Sequence, residues 1–232
     1  GMYLMMPLHM HIDYGFGATA EQFKESADIL SASESVKDLG MPVNYLRRHA
    51  IELYLKSLIY VLHRNFKTPF SSGGTLEKPK IKVLGKDCEL ENMHDIRLLA
   101  IYLIGQHNKL IPCFFHLGIG VIEKDILAKI NKINSIDSNS TFFRYPKTGD
   151  HIQDVRKSSV RKKSTEDLIK SMNTKKGKYV KALLLVDDED NIVDSFDIDV
   201  DVFPDLNKNL IFLCDYFHDL HAAYRLGICN GK

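Results

Sequence analysis

The sequence predicts a mainly α-helical protein with a small β-hairpin inserted before its last helix. Several long segments carry apolar residues at three- and four-residue spacing, which places those residues on one face of a helix. One region near residue 190 instead has two apolar runs separated by an acidic turn, which is the pattern of a hairpin. With 232 residues, 44% of them hydrophobic, the chain is long enough to bury a core without a metal or a disulfide.

The longest predicted helix runs from Pro42 to about Phe66. Proline suits its first turn, because the N–H that proline lacks would have no helical partner there. The predicted buried stripe of this helix comprises Leu46, Ala50, Ile51, Tyr54, Leu55 and Leu58. An earlier helix is predicted from Thr19 to about Ser35, with Thr19 as its N-cap.

Periodicity and turn chemistry predict the remaining elements. Residues 67–91 break the helical pattern and hold one possible short strand, Ile81–Leu84. Three further helices are predicted, at about 92–106, 121–133 and 206–226. The runs "VKALLLV" and "NIVDSFDIDV" flank the turn "DDEDN" and predict the hairpin. Its second strand alternates at Phe196, Ile198, Val200 and Val202.

These elements predict a single helical domain over residues 1–232, in which residues 152–205 are an insertion. The first part of this insertion is basic and the second part is the acidic hairpin. The net charge of the whole chain is only +1, so no global field would drive the protein onto nucleic acid or a membrane surface. Any electrostatic partner must therefore be recognised by a local cluster of charge.

Composition also bears on the cellular compartment. The four cysteines are widely scattered and form no C-x-x-C pair, which is typical of reduced thiols in a reducing compartment. No stretch reaches the roughly 20 apolar residues that span a bilayer. The segment Met2–Met10 lacks the basic region and the cleavage site of a signal peptide. We therefore predict a cytoplasmic protein with no membrane association and no cofactor.

Three segments occur in an order that points to a known family. They are "YLRRHAIELYLKSLI" in the long helix, "HDIRLL" at the start of the next long helix, and the loop "FFRYP". In this order and spacing, over roughly residues 44–151, the chain resembles proteins of the HEPN-like superfamily. The resemblance implies a HEPN-like helical bundle that forms a homodimer. It also implies a role on or near RNA, in a bacterial abortive-infection, toxin–antitoxin or other defence setting.

The same resemblance implies a metal-independent endoribonuclease site at Arg144 and His151. HEPN ribonucleases carry an arginine followed by a histidine, and two copies place these pairs in one cleft. Arg144 would hold the scissile phosphate, and His151 would move a proton to or from the 2′-hydroxyl or the leaving oxygen. Here Tyr145 stands where the family usually has a polar residue, and Pro146 and Gly149 make the spacer a turn. The alternative is a packing loop in a non-catalytic HEPN-like protein-interaction module.

Two further groups of charged residues are candidate sites. Nucleic-acid binding is predicted for a basic cluster in the insertion, because each bound phosphate would release counterions. The cluster comprises Arg156, Lys157, Arg161, Lys162 and Lys163. Alternatively, the acidic hairpin neutralises this cluster, within one subunit or across a dimer. Arg48, Glu52 and His94 lie on or near helix faces that should meet, and they predict either a structural ion network or a ligand pocket.

Two patterns of metal-ligating residue types favour other interpretations. The motif H-x-H-x-D at residues 9–13 is typical of hydrolases built on a parallel-sheet barrel, a scaffold that the helical pattern does not predict. Cys214, His218 and His221 share one face of the last helix at a spacing that a metal could use. A packed helix face explains them more simply, so we predict no metal site.

Overall fold

The computed structural model describes residues 6–33, 40–174, 181–198 and 203–230, and helices make up most of this part of the chain, as predicted. The helices are α1 (Phe16–Ala32), α2 (Gly40–Phe66), α3 (Ile96–Phe114), α4 (Lys124–Asn134), α5 (His151–Val155), α6 (Thr165–Thr174) and α7 (Pro204–Ala223). The strands are β1 (Lys80–Val83), β2 (Lys86–Glu89), β3 (Val160–Lys162), β4 (Lys181–Val186) and β5 (Ile192–Ile198).

The chain divides into two compact units. Unit 1 comprises Gly1–Tyr145 and Asp205–Lys232, and unit 2 comprises Pro146–Pro204. Unit 2 spans nearly the same residues as the predicted insertion, 152–205. Unit 1 is a helical bundle with the small hairpin β1–β2, whereas unit 2 holds the three-stranded sheet.

Helix α2 is the centre of unit 1. Its residues are buried from Ala50 to His63 without interruption, so helices and loops cover every side of it. A helix in this position is normally apolar all round, but α2 buries Arg48, Glu52 and Lys56 as well as its leucines. Burial of such charges requires partners inside the protein, and those partners define the candidate site described below.

The start of α1 differs from the prediction. The helix begins at Phe16 and its N-cap is Gly15, which has a φ of +85°, a conformation that glycine adopts without strain. The side chain of Asp13 accepts hydrogen bonds from the backbone N–H groups of Gly15 and Gly17. Asp13 therefore accepts the hydrogen bonds of the N–H groups in the first turn of α1, a capping role that the sequence pattern assigned to Thr19. The predicted end at Ser35 lies outside the described residues.

The other helices of unit 1 are close to their predicted positions, with shifted ends. Asp95 caps α3 by accepting from the N–H groups of Arg97 and Leu98, so this helix starts later than the predicted residue 92. It continues through Pro112 to Phe114, beyond the predicted end at residue 106. The α7 helix is followed by one wider π turn, Tyr224–Ile228. None of the helices in the described part of the chain is long and apolar enough to cross a membrane.

Both sheets contain strands that periodicity did not predict. The predicted strand near residue 81 pairs with the unpredicted β2, through a tight turn in which Leu84 and Gly85 both have positive φ. The predicted hairpin is present as β4 and β5, although Val200 and Val202 of its expected alternation lie outside the described residues. The unpredicted β3 completes an antiparallel sheet of order β3–β5–β4, and α6 packs on β5 with Leu168 buried.

Candidate functional site

Two of the three segments that carry the family resemblance contribute to one buried cluster of charged residues, which we call the ion network, and the third bonds to it through the Phe142 N–H. Its members are Arg48, Glu52, Lys56, His94 and Asp137. The first three lie one helical turn apart on α2, where a four-residue spacing aligns side chains on one face. His94 immediately precedes the α3 cap. Asp137 follows α4 at the start of the loop that carries Phe142, Phe143 and Arg144, which we call the aromatic loop. The network thus joins elements that are far apart in sequence.

Glu52 is the centre of the ion network. Its Oε2 atom accepts from Arg48 Nη1 at 2.6 Å, and its Oε1 atom accepts from Lys56 Nζ at 3.0 Å. His94 Nδ1 lies 2.9 Å from the same Oε1 atom. Burial opposes ionisation of Glu52, but Lys56 and Arg48 outweigh it and lower the carboxyl pKa from 4.5 to about 2. Glu52 is therefore ionised at neutral pH, although it is buried.

Arg48 connects Glu52 to the aromatic loop. Its Nη2 atom donates to the backbone carbonyl of His94 at 2.5 Å, and its Nε atom lies 3.3 Å from Asp137 Oδ2. The other oxygen of Asp137 accepts from the backbone N–H groups of Thr141 and Phe142. The guanidinium, itself fully buried, thus holds the carboxylate that shapes the loop leading to Arg144.

The charges of the ion network balance internally. Two cations, Arg48 and Lys56, face two carboxylates, and four of the five members are buried. Only the His94 side chain is substantially exposed, at 54%. Arg48 Nε and Asp137 Oδ2 face each other as an ion pair without a hydrogen bond. Because the charges balance without a ligand, the geometry favours the structural interpretation of Arg48, Glu52 and His94 over a ligand pocket.

Sequence reasoning missed two members of this network, Lys56 and Asp137. Lys56 carried a usable signal, because it lies four residues after Glu52 and on the same helix face. Asp137 carried a weaker one, since an aspartate in a serine-rich turn before an aromatic pair is typical of a side chain that caps backbone N–H groups. Its contact with α2 depends on tertiary structure and has no local signature.

A second buried polar group lies around Asp13. Besides its two glycine contacts, Asp13 accepts from Ser57 Oγ at 2.5 Å and lies 3.7 Å from His221 Nε2. Burial would raise the pKa of the Asp13 carboxyl, but the contacts with His221, Ser57 and Gly17 hold it far below its usual range. The serine bonds to the aspartate and not to the histidine, so this is not the relay of a serine hydrolase.

The metal-ligating residue types are dispersed in the structure. His9 is exposed, whereas His11 is buried and bonds the carbonyl of Met6. Burial raises the pKa of the Cys214 thiol to about 12, and His218 lies half-exposed beside Asp219. Within the residues that the structure describes, no group of three or more His, Cys, Asp or Glu side chains could hold a metal ion.

Arg144 and His151 belong to different compact units. Arg144 is exposed at the end of unit 1, with its guanidinium 5.0 Å from the centre of the Tyr145 ring. His151 is the exposed first residue of α5 in unit 2. Phe142 and Phe143 are buried, but Tyr145 is half-exposed, so the loop packs only in part as the alternative predicted. The catalytic pairing of Arg144 with His151 stays a prediction.

The basic cluster of unit 2 is largely neutralised within its own subunit. Lys162 pairs with Asp194 at 2.5 Å and Lys163 with Asp197 at 2.6 Å, which are contacts between the basic segment and the acidic hairpin. Lys157 pairs with Asp154 at 3.0 Å. The other two members, Arg156 and Arg161, contact the Phe203 ring and the Arg156 carbonyl respectively. At least three of the five residues predicted to bind nucleic acid thus have carboxylate partners among the described residues.

Strand β4 presents an apolar edge in unit 2. It lies at the end of the sheet, so one side pairs with β5 and the other faces no strand among the described residues. All six of its residues are exposed, including Leu184 at 46%. Native proteins usually protect such an edge with charge, proline or a covering element, and an uncovered apolar edge marks a site of association.

Comparison with family models, curated proteins and solved structures finds no match for this chain.

Proposed function

We propose that this chain is a non-catalytic, HEPN-like protein-interaction module that forms a homodimer through β4. The observation that carries the proposal is the exposed apolar edge of β4, whose outer backbone N–H and C=O groups have no strand partner within the described chain. An added strand would satisfy these groups and cover the leucines, which is how edge strands recognise extended segments.

The sequence of β4 is complementary to itself. Antiparallel pairing of two copies about a two-fold axis at Leu184 places Lys181 opposite Asp187 of the second copy, and does so twice. The same register places Leu183 opposite Leu185 of the second copy, on the same face of the sheet. Charges therefore meet opposite charges at both ends, and leucines meet in the middle. Such an isologous contact closes after two copies.

The Asp187 carboxylate is fixed for this role by its own turn. It accepts hydrogen bonds from the backbone N–H groups of Glu189 and Asn191, and those bonds lower its pKa. Asp187 therefore stays ionised at the end of β4 at neutral pH. Two paired strands bury less than the roughly 1,600 Å² of a standard interface, so we expect a reversible dimer.

Sedimentation equilibrium over a range of protein concentrations tests this proposal. Leu184→Lys places two like charges opposite each other at the two-fold axis, so we expect this variant to remain monomeric where the parent protein dimerises. Ile29→Lys is the matched control, because Ile29 is 71% exposed and lies on α1 in unit 1. A parent protein that stays monomeric at every concentration, or a Leu184→Lys variant that dimerises like the control, would reject the proposal.

Metal-independent RNA cleavage is the second candidate function. Two observations favour it: the side chains of Arg144 and His151 are both exposed, and Asp137 fixes the loop that carries Arg144. In the reaction the 2′-oxygen would attack phosphorus and the 5′-oxygen would leave, giving a 2′,3′-cyclic phosphate. His151 would move the proton, while Arg144 would stabilise charge on the phosphate. The family's composite cleft requires a dimer, so dimerisation through β4 is compatible with cleavage. RNA cleavage that is lost in the Arg144→Ala variant would exclude the non-catalytic module.

The cleavage test uses a fluorescently labelled single-stranded RNA in the presence of EDTA. We expect His151→Ala and Arg144→Ala to abolish cleavage without lowering the melting temperature. His116→Ala is the control, since His116 is an exposed histidine outside the predicted site. Cleavage by the His151→Ala variant at the parent rate would reject the catalytic assignment. For the toxin setting we expect bacterial growth to stop on expression of the parent protein and to continue on expression of that variant.

A further inference from the structure

A cleft in unit 1 lies where α2 ends, and none of its lining residues belongs to the ion network. Its volume is about 500 Å³, which is within the range of small-molecule sites. Apolar side chains form much of its wall, namely Ile12, Pro69, Phe70 and Leu76. Two cations, Arg64 and Lys67, share this wall. The cleft thus combines an apolar surface with positive charge.

Arg64 is held rigidly in this wall without a carboxylate partner. Its Nη1 atom donates to the carbonyls of His11 and Ile12, and its Nη2 atom donates to the Tyr14 hydroxyl. The guanidinium also lies 4.4 Å from the centre of the Tyr14 ring. These three bonds leave at least two of its five N–H groups without an acceptor among the described residues. Neither Arg64 nor Lys67 forms an ion pair within that part of the chain.

The His63 ring is a neutral, rigid part of the same wall. Its two nitrogens bond the Thr68 carbonyl and the Tyr102 hydroxyl, and the ring stacks on Phe70 with the centroids 4.0 Å apart. Burial lowers the pKa of His63, so it adds no charge at neutral pH. The positive charge of the cleft therefore comes from Arg64 and Lys67.

The end of α2 itself opposes the binding of an anion, because a helix C-terminus carries about half a negative charge. Two full positive charges outweigh it. Glu77 is an acidic residue close in sequence to this wall. The pKa of its carboxyl is lowered mainly by its own backbone N–H and by the Thr75 hydroxyl, and to a smaller degree by the charge of Arg64. Glu77 lies outside the residues that line the cleft, so the wall keeps a net positive charge.

We propose that this cleft binds a small organic anion with a flat apolar body, of which an aromatic carboxylate is the simplest form. The carboxylate would bind the open N–H groups of Arg64 and the ammonium of Lys67, and the flat body would pack on Phe70 and Leu76. This inference is independent of the proposed dimer, since β4 lies in unit 2.

Titration calorimetry with 1-naphthoate and with 1-naphthamide tests the charge requirement, because the two probes share a shape. We expect naphthoate to bind about tenfold more tightly, as two partly exposed ion pairs would give. Lys67→Gln leaves only the Arg64 pair, so it should reduce this preference to about threefold, and Glu77→Gln should strengthen naphthoate binding. Lys82→Gln is the control, since Lys82 is exposed on β1 and does not line the cleft.

Arg64→Gln removes the second cation, but it also removes the bonds from Arg64 to His11, Ile12 and Tyr14. Comparison of its melting temperature with that of the parent protein shows whether loss of these bonds unfolds the protein. Lys67 forms no described contact that folding depends on, so the Lys67→Gln result stands even if Arg64→Gln unfolds. Equal affinity for the two probes, absence of naphthoate binding at millimolar concentration, or parent-like binding by Lys67→Gln would overturn the proposal.

Discussion

Replacing Glu52 by glutamine removes one negative charge from the ion network with almost no change in side-chain volume. Arg48 and Lys56 would then be buried beside a neutral amide. Loss of one partner from a buried ion pair costs roughly 3–5 kcal/mol. The pKa of Glu52 gives a similar figure, since its fall from 4.5 to about 2 corresponds to about 3 kcal/mol of stability at neutral pH.

The same pKa fixes how this loss depends on pH. Glu52 has a lower pKa in the folded protein than in the unfolded chain, so its contribution is fully present above pH 4.5 and disappears as the pH falls through 2. The difference in unfolding free energy between the parent protein and Glu52→Gln should thus be about 3 kcal/mol at pH 7. It should fall by half or more at pH 3.

Urea denaturation monitored by circular dichroism at both pH values measures this difference. Glu25→Gln is the control, because Glu25 is exposed on α1 and such surface changes usually stay within about 0.5 kcal/mol. A loss below about 1 kcal/mol at pH 7, or a loss that does not change between pH 7 and pH 3, would refute the reasoning.

Two further predictions concern unit 1. In Gly17→Ala the new Cβ atom would lie 2.1 Å from His221 Nε2 and 2.8 Å from Asp13 Oδ2; we expect a loss of roughly 1–3 kcal/mol, and an unchanged melting temperature would contradict this packing. Iodoacetamide should label the exposed Cys113 in the native protein but Cys214 only after denaturation, because Cys214 is buried and its thiol pKa is raised to about 12. Mass spectrometry measures both sites, and rapid native labelling of Cys214 would show that this helix face is open.

Long periodic helices could be predicted from the sequence because their signals are local. The apolar spacing from Pro42 onward predicted α2 almost to the residue. The basic character of residues 156–178 concealed both β3 and α6, since the apolar residues that hold them, such as Leu168, are few. Short elements of this kind form because the rest of the unit buries them. The local sequence carries no periodic pattern that would indicate this burial.

The candidate site was predictable only in part for a related reason. Arg48, Glu52 and His94 were expected to meet because they lie on helix faces, whereas Asp137 enters from a loop. The start of α1 shows the same limit: Thr19 has the side chain of an N-cap, but Asp13 reaches the first turn from the preceding loop. In both cases a carboxylate bonds backbone N–H groups at a position set by tertiary packing.

A double-mutant cycle between Arg48 and Asp137 tests most directly whether α2 and the aromatic loop are joined by one buried ion network. The unfolding free energies of Arg48→Met, Asp137→Asn and the double variant would be compared with that of the parent protein. Because the guanidinium and the carboxylate are both fully buried and 3.3 Å apart, we predict a coupling energy of about 1–3 kcal/mol. Additive losses, with a coupling energy below about 0.3 kcal/mol, would contradict the account.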